Sequence, residues 1–432
     1  MENQLFTNVR IFDGTGKPSL PGEVLVQGNR IKDVAKGKRR LERGGASLID
    51  GEGATVMPGL VNCHGHISYP NLGGPLKDTG DIPPEEHTLI SVHNAKTMLD
   101  HGFTAVVSAA AAKPRLDVVI RNEINAGRIP GPRMLACTPQ FTTTGGPWDA
   151  RQMHLEHHTF EIIADGPDEF RRLVRELVRE GVDTIKLTIS GDNFSRDFAA
   201  EDETTMAEDE IAAACEVARS RNLRVCAHAR SDGSIELCMR HGIEIIHHAN
   251  HASDRTIDRL ARARDRFFVC PALGVVYTTA YESHDWGLDD AYLEAGGFAR
   301  EFEIGCATTR KMFDAGIRVM PFGDYGVAWN PIGTDARDLE HFVTHIGFSP
   351  AETLMMATKW GGECFAGTGN TAEVGEVKKG YLADIVMVDG DPLADITLLQ
   401  DRDNFLMIMK DGAYHKPPQR RRAVAGRTAA AE

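Results

Sequence analysis

The chain opens with short runs in which apolar and polar residues alternate between glycines: LFTNVRIFDGTG, then GEVLVQGNRIKDV. Successive side chains of a β-strand face opposite sides, so this alternation broken by Gly predicts hairpin-forming strands. The same texture returns near the other end in ADIVMVDGD and NFLMIMKDGAYH. Two strand-rich ends enclosing a different middle predict a small β-sandwich domain built from both, residues 1–56 together with 371–416. Residues 417–432 hold the one basic run, PPQRRRAVAGR, and read as a flexible, solvated tail.

Between the ends, over residues 57–370, apolar strands alternate with amphipathic helices. In PDEFRRLVRELVREG, Phe170, Leu173, Val174, Leu177 and Val178 recur at helical spacing on one face, and Gly181 stands where a helix ends. The strand DTIKLTIS follows at once. Eight strand-like runs are present: VMPGLVNCHGH, FTAVVSA, PRMLACT, DTIKLTIS, LRVCAHA, IEIIHHA, FFVCPAL and RVMPFGD. Eight β-then-α units predict an α/β fold of the (β/α)8, TIM-barrel kind; a doubly wound open sheet would not need eight.

Composition narrows the picture. With 432 residues, 42% hydrophobic and 25% charged, the chain can bury one large core and a smaller one. A formal net charge of −14 argues against a nucleic-acid partner, which requires a basic face. The eight cysteines form no CxxC pair, and Cys137, Cys226 and Cys270 lie in apolar strand runs, as reduced thiols of a cytoplasmic protein do. The start, MENQLFTNVRIFDG, lacks the basic and apolar regions of a signal peptide, and no apolar run is long enough to span a membrane. A soluble cytoplasmic protein is expected.

In a barrel, functional groups collect where the strands end. The first strand ends in His64-Gly65-His66; residues two apart share a face, so both imidazoles can reach one ion, with Gly65 permitting close approach. The fourth carries Lys186, which points inward with Thr184 and Thr188 while Ile185 and Leu187 point away. The fifth ends in His228, the sixth in His247-His248, and the eighth in Asp324. Each has a plain structural reading: a hydrogen-bonded histidine, or an aspartate capping the next segment. Lysine, however, is almost never buried without a partner. A lysine converted by CO2 to its carbamate would be an anionic oxygen ligand able to bridge two cations. Donors on five of eight strands at one rim point to a metal centre.

These stretches resemble the amidohydrolase superfamily over nearly the whole chain. MPGLVNCHGHI is similar to that superfamily's Pro-Gly-Leu-Ile-Asp-x-His-x-His strand; the likeness continues through INAGRIPGPRM, TIKLTISGD, VCAHARS and GIEIIHHAN, and closes in ATKWGGECFAGTGNTAEVGEVKKGYLADIVMVDGDPL. The pattern looks most like the prolidase-type and imidazolonepropionase-like branch. The resemblance implies His64 and His66 on a buried metal, carboxylated Lys186 bridging to a second metal held by His228 and His248, and Asp324 completing the first site. His247 stands where relatives often have Glu, which makes His248 the ligand. The ions would be two divalent cations, most readily Zn2+, with Mn2+ or Co2+ suited to the same donors. Relatives of this kind are usually homo-oligomers.

One departure concerns the loop after the third strand. Relatives carry Thr-Gly-Gly-His there, whereas this chain reads TTTGGPWDA, with Pro147 and Trp148 in place of the histidine. His154, His157 and His158 of the HLEHH run either substitute for it or are surface residues.

The implied chemistry is attack on a carbonyl by a hydroxide shared between the metals. Asp324 takes the proton and returns it to the leaving nitrogen, with Lys186 holding the ions. The expected substrate is a small molecule with an amide bond: an N-acyl amino acid, a dipeptide-like compound or an aromatic amide. Alternatives are a urea or carbamate of the phenylurea or thiocarbamate type and a ring deaminase, whose representatives generally lack the strand-four lysine. A non-catalytic scaffold is the last. Arg230, two residues beyond His228, is placed either for bidentate capture of a substrate carboxylate or for a loop salt bridge. Trp148 and Tyr277 are candidates to wall an apolar pocket, with Tyr277 able to donate to a developing oxyanion. Residues 281–310 read as a helical lid with a Gly-Gly hinge, or as the barrel's seventh helix.

Overall fold

In the computed structural model, which describes residues 3–71, 82–149, 151, 153–154 and 161–421, the two alternating ends pair with each other. Strand Gln4–Ile11 runs antiparallel to Leu20–Gln27 and parallel to Ser47–Asp50 and Thr55–Pro58. From the far end of the chain, Ile385–Val388 pairs antiparallel with Thr55–Pro58, and Phe405–Lys410 and Ala413–Lys416 follow. The small domain is thus made by both termini, as expected, and in hydrogen-bond terms it is one eight-stranded sheet, a refinement of the expected sandwich. Phe6, Val24, Val56, Ile385 and Met407 fill one side. Val386, Val388, Phe405 and Ile408 turn the other way, onto Leu60, Leu99 and Phe103 of the barrel, so one face of the sheet is welded to the barrel by apolar contact. Of the expected tail, residues 422–432 lie outside the described residues, as do His157 and His158.

The barrel strands run parallel: Leu60–Gly65, Phe103–Ser108, Arg133–Leu135, Cys137–Thr142, Thr184–Thr188, Arg224–Ala229, Ile245–His248 and Phe268–Cys270. Arg133–Leu135 and Cys137–Thr142 are the two halves of the expected third strand: the first half pairs back to the second strand, the second half forward to the fourth. The expected eighth strand, RVMPFGD, shrinks to a single parallel bridge, Val269 to Val319. Two bonds hold it, Val269 N–H to Arg318 O and Met320 N–H to Val269 O, each 2.9 Å. Pro321 has no N–H to donate and Phe322 is left-handed (φ 80°), so the ladder stops there.

Helix Pro167–Glu180 forms where the spacing predicts, buries Phe170, Val174 and Leu177, and ends on left-handed Gly181 (φ 94°). Residues 281–310 are not free-standing. They finish helix Leu273–Glu282, then form Asp290–Gly296 and Phe298–Asp314, with Gly297 between the last two. Phe298, Glu301 and Phe302 of the long helix are buried, so this segment packs as the barrel's outer layer. Among the described residues, no helix is long and apolar enough to cross a membrane.

Candidate metal centre

Strand Leu60–Gly65 is buried throughout, and a side chain at Gly65 would meet Val106 Cγ2 at 2.4 Å, so only glycine fits between the two histidines. Asn62 fixes the strand end: its Oδ1 accepts from His64 N–H (2.8 Å) and its Nδ2 donates to Asp335 Oδ1 (3.1 Å). His66 Nδ1 faces the Ala110 carbonyl at 3.3 Å, which leaves Nε2 with the lone pair. His228 Nε2 faces the Gly191 carbonyl at 3.0 Å, which frees Nδ1 in the same way.

These imidazoles converge on one carboxylate. His64 Nε2 and His66 Nε2 each lie 3.0 Å from Asp324 Oδ1, and His248 Nε2 lies 3.5 Å from Oδ2. The His228 and His248 rings meet at 4.4 Å, completing a continuous group. Burial, the dominant effect, lowers His64 to about 4 and His248 and His228 well below the ordinary imidazole range. His64, His228 and His248 are therefore neutral near pH 7 and carry lone pairs beside an anion.

Lone pairs facing a carboxylate are satisfied by a cation between them. The fit is visible in the orphaned atoms: neither nitrogen of fully buried His64 makes a hydrogen bond, nor does His248 Nδ1. Buried polar atoms are rarely left unpaired without a reason. His64, His66 and Asp324 together have the donor types and spacing of a metal site, with ligand atoms within 4.8 Å of one another.

Backbone strain delivers these groups. His248 (φ 71°), Ala249 (φ 60°), Ala272 (φ 52°), Phe322 (φ 80°) and Asp324 (φ 54°) all occupy left-handed conformations where strands six, seven and eight end. Such conformations cost about 1–3 kcal/mol each and gather at functional sites. Gly323 (φ 151°) sits among them, and a Cβ there would be 2.8 Å from His64 Nδ1. At His248 the turn breaks the two-residue alternation, so His247 and His248 both enter the site. His247 stacks on His64 (3.7 Å, 9°), and Lys186, 2% exposed, places Nζ 2.7 Å from His247 Nδ1. Lys186 thus faces the interior as expected, and its neighbour is the histidine that the resemblance sets aside.

The remaining candidates separate. Arg230 is 2% exposed, and its guanidinium is held by this chain's own carboxylates, Nε by Asp192 Oδ2 (2.8 Å) and Nη1 by Glu301 Oε1 (3.0 Å). Its salt-bridge reading is the one seen. Burial would push Glu301 up, but the His251 hydrogen bond and the Arg230 charge outweigh it and hold Glu301 at about 2. Trp148 does stand at the site, its ring edge-on to His228 at 5.2 Å and its backbone N–H donating to Ser195 Oγ. Tyr69, which sequence reasoning missed, stacks on His66 at 4.2 Å. Tyr277 is elsewhere: its ring neighbours are Tyr281, Phe302, His341 and His345, not any candidate ligand. The expected oxyanion role for Tyr277 gives way to packing between outer helices. His154 is exposed on the surface.

Comparison with known proteins follows the same lines. The sequence pattern of the amidohydrolase family matches residues 55–414. An ochratoxinase of Aspergillus niger is 24% identical over 394 residues, 84% of this chain and 76% of that protein. Its crystal structure superposes with a TM-score of 0.82 at 18% identity over 96% of each chain. A Xaa-Pro dipeptidase with bound methionine in its active site gives a TM-score of 0.83 at 22% identity, over 96% of this chain and all of that one (100%). Phenylurea hydrolase B gives 0.76 at 21% identity, with 96% of each chain covered.

Proposed function

The chain belongs to the amidohydrolase family, a metal-dependent hydrolase acting on C–N bonds, and from that premise we propose that it cleaves an amide bond in a small aromatic substrate, of the N-acyl amino acid, dipeptide-like or aromatic amide class. One observation carries the aromatic preference: the ring of Tyr69 on His66 and that of Trp148 on His228 bracket the ligand set from its two ends. An aromatic substrate group set between them would gain stacking or edge contacts of about 0.5–1.5 kcal/mol each. Amide cleavage is supported by the likeness to an ochratoxinase and a dipeptidase.

His64, His66 and Asp324 would hold one ion, and His228 and His248 a second, with Lys186 as its carbamate between them. Bound there, divalent cations supply Lewis acidity, polarising the scissile carbonyl and lowering the pKa of water. Asp324, touching three imidazoles, accepts the proton of the attacking water and delivers it to the departing nitrogen. Asn62 and Asp335 keep His64 in place, and the Ala110 and Gly191 carbonyls fix which nitrogen of His66 and His228 faces inward.

Cleavage of a urea or carbamate is the second reading, favoured by the likeness to phenylurea hydrolase B and by Arg230 being engaged within the chain. Amine release from an N-acyl phenylalanine and from a matched neutral N-aryl urea, by zinc-supplemented protein, separates the two. Preference for the amide supports the proposal; turnover of the urea alone replaces it with the second reading.

A further inference from the structure

A second group of donors stands apart from the histidine centre. His251 follows the sixth barrel strand, Glu201 lies in the loop after the fourth, and Glu301 sits on helix Phe298–Asp314; one donor atom of each lies within 4.8 Å of the others. His251 Nε2 is 2.8 Å from Glu301 Oε2. The carboxylates divide their oxygens. Glu301 gives Oε1 to Arg230 Nη1 (3.0 Å) and Asn250 Nδ2 (2.7 Å), which turns Oε2 to His251. Glu201 has Oε1 3.3 Å from Arg196, while its Oε2 is buried without a hydrogen-bond partner. Independently, Asn250 is 1% exposed, its amide is seated on Glu301, and its Oδ1 is also buried and unpartnered. Both orphaned atoms are acceptors, and what acceptors lack is a cation or a donor.

Charge agrees. Three buried carboxylates, Asp192, Glu201 and Glu301, face one buried guanidinium, Arg230, and the half-exposed Arg196, which leaves the group net negative when His251 is neutral, as it is when it ligates a metal. We propose that His251, Glu201 and Glu301 form a separate site for a divalent cation, zinc in its chemistry, with Asn250 Oδ1 as a further oxygen beside it. One imidazole nitrogen and carboxylate oxygens are donors that zinc accepts. His251 keeps 21% of its side chain exposed, which gives the ion a way in. Such an ion ties the loops after strands four and six to helix Phe298–Asp314 and so fastens the outer layer beside the catalytic rim. This inference does not depend on the substrate proposed above.

The test is a count of zinc per chain, by mass spectrometry of protein saturated with zinc and then desalted, for the natural protein, His251→Ala and Glu201→Gln. Each variant is expected to hold one zinc fewer than the natural protein, and zinc is expected to slow hydrogen exchange in helix Phe298–Asp314 only when the site is intact. Equal zinc content in all three proteins overturns the proposal. If His251→Ala fails to fold, the near-isosteric Glu201→Gln decides alone.

Discussion

Asp324 is the residue on which the chemistry turns, because three imidazole nitrogens meet its two oxygens. Asp324→Asn keeps the shape and removes the proton acceptor, so kcat should fall by about 10²–10⁴, the usual worth of a positioned acid–base group; near-normal kcat removes that role. Lys186→Ala should lower bound metal and abolish turnover, with partial recovery on adding a short carboxylic acid in place of the carbamate. Unchanged metal content in that variant is incompatible with a bridging lysine. Trp148→Ala tests the aromatic wall: KM for an aromatic amide should rise about tenfold, as loss of one ring contact implies, with little change for a small aliphatic amide. Equal KM changes for both would reduce Trp148 to a structural part. The strand ends made His64, His66, His228, His248 and Asp324 legible in the sequence. His247 was legible as a candidate, but its contacts with Lys186 and His64 were not, and Tyr69 was missed, since the left-handed turn at His248 and the stacking on His66 are set by the packed barrel. Arg230 was ambiguous for a related reason: its partners lie 38 and 71 residues away.

At the scale of elements, Glu301 joins helix Phe298–Asp314 to the barrel through Arg230. Its folded pKa of about 2 lies below the ordinary glutamate value of 4.5. A depressed carboxylate contributes stability that is complete above its unfolded pKa and is lost as pH falls through the folded one. Glu301→Gln should therefore cost about 3 kcal/mol at pH 7, from 1.36 kcal/mol per pKa unit, and the gap should narrow to about half near pH 3. Denaturant unfolding of both proteins in a chelator checks this; a gap independent of pH would show that the carboxylate charge is not what holds the helix. Helix Pro167–Glu180 was legible because its apolar spacing and its terminal glycine agree. The eighth strand was over-read: RVMPFGD has strand composition, but Pro321 and the left-handed residues after it deny it a ladder. That break also frees Asp324 to turn towards the histidines.

For the whole molecule, the alternating ends and the repeated strand–helix units were enough to predict a barrel joined to a β-domain made by both termini. How the small domain's strands join into one sheet was not readable, because strand Thr55–Pro58 pairs with residues more than three hundred positions later. The fold explains the site: parallel strands bring donors separated by 260 residues, from His64 to Asp324, to one rim. We propose that this rim is the centre of a metal-dependent amide hydrolase. Its most direct test is release of phenylalanine from an N-acyl phenylalanine before and after metal removal by a chelator, followed by addition of zinc. We expect release to fall at least about a hundredfold without metal and to return with zinc. Undiminished release from metal-free protein would contradict the account.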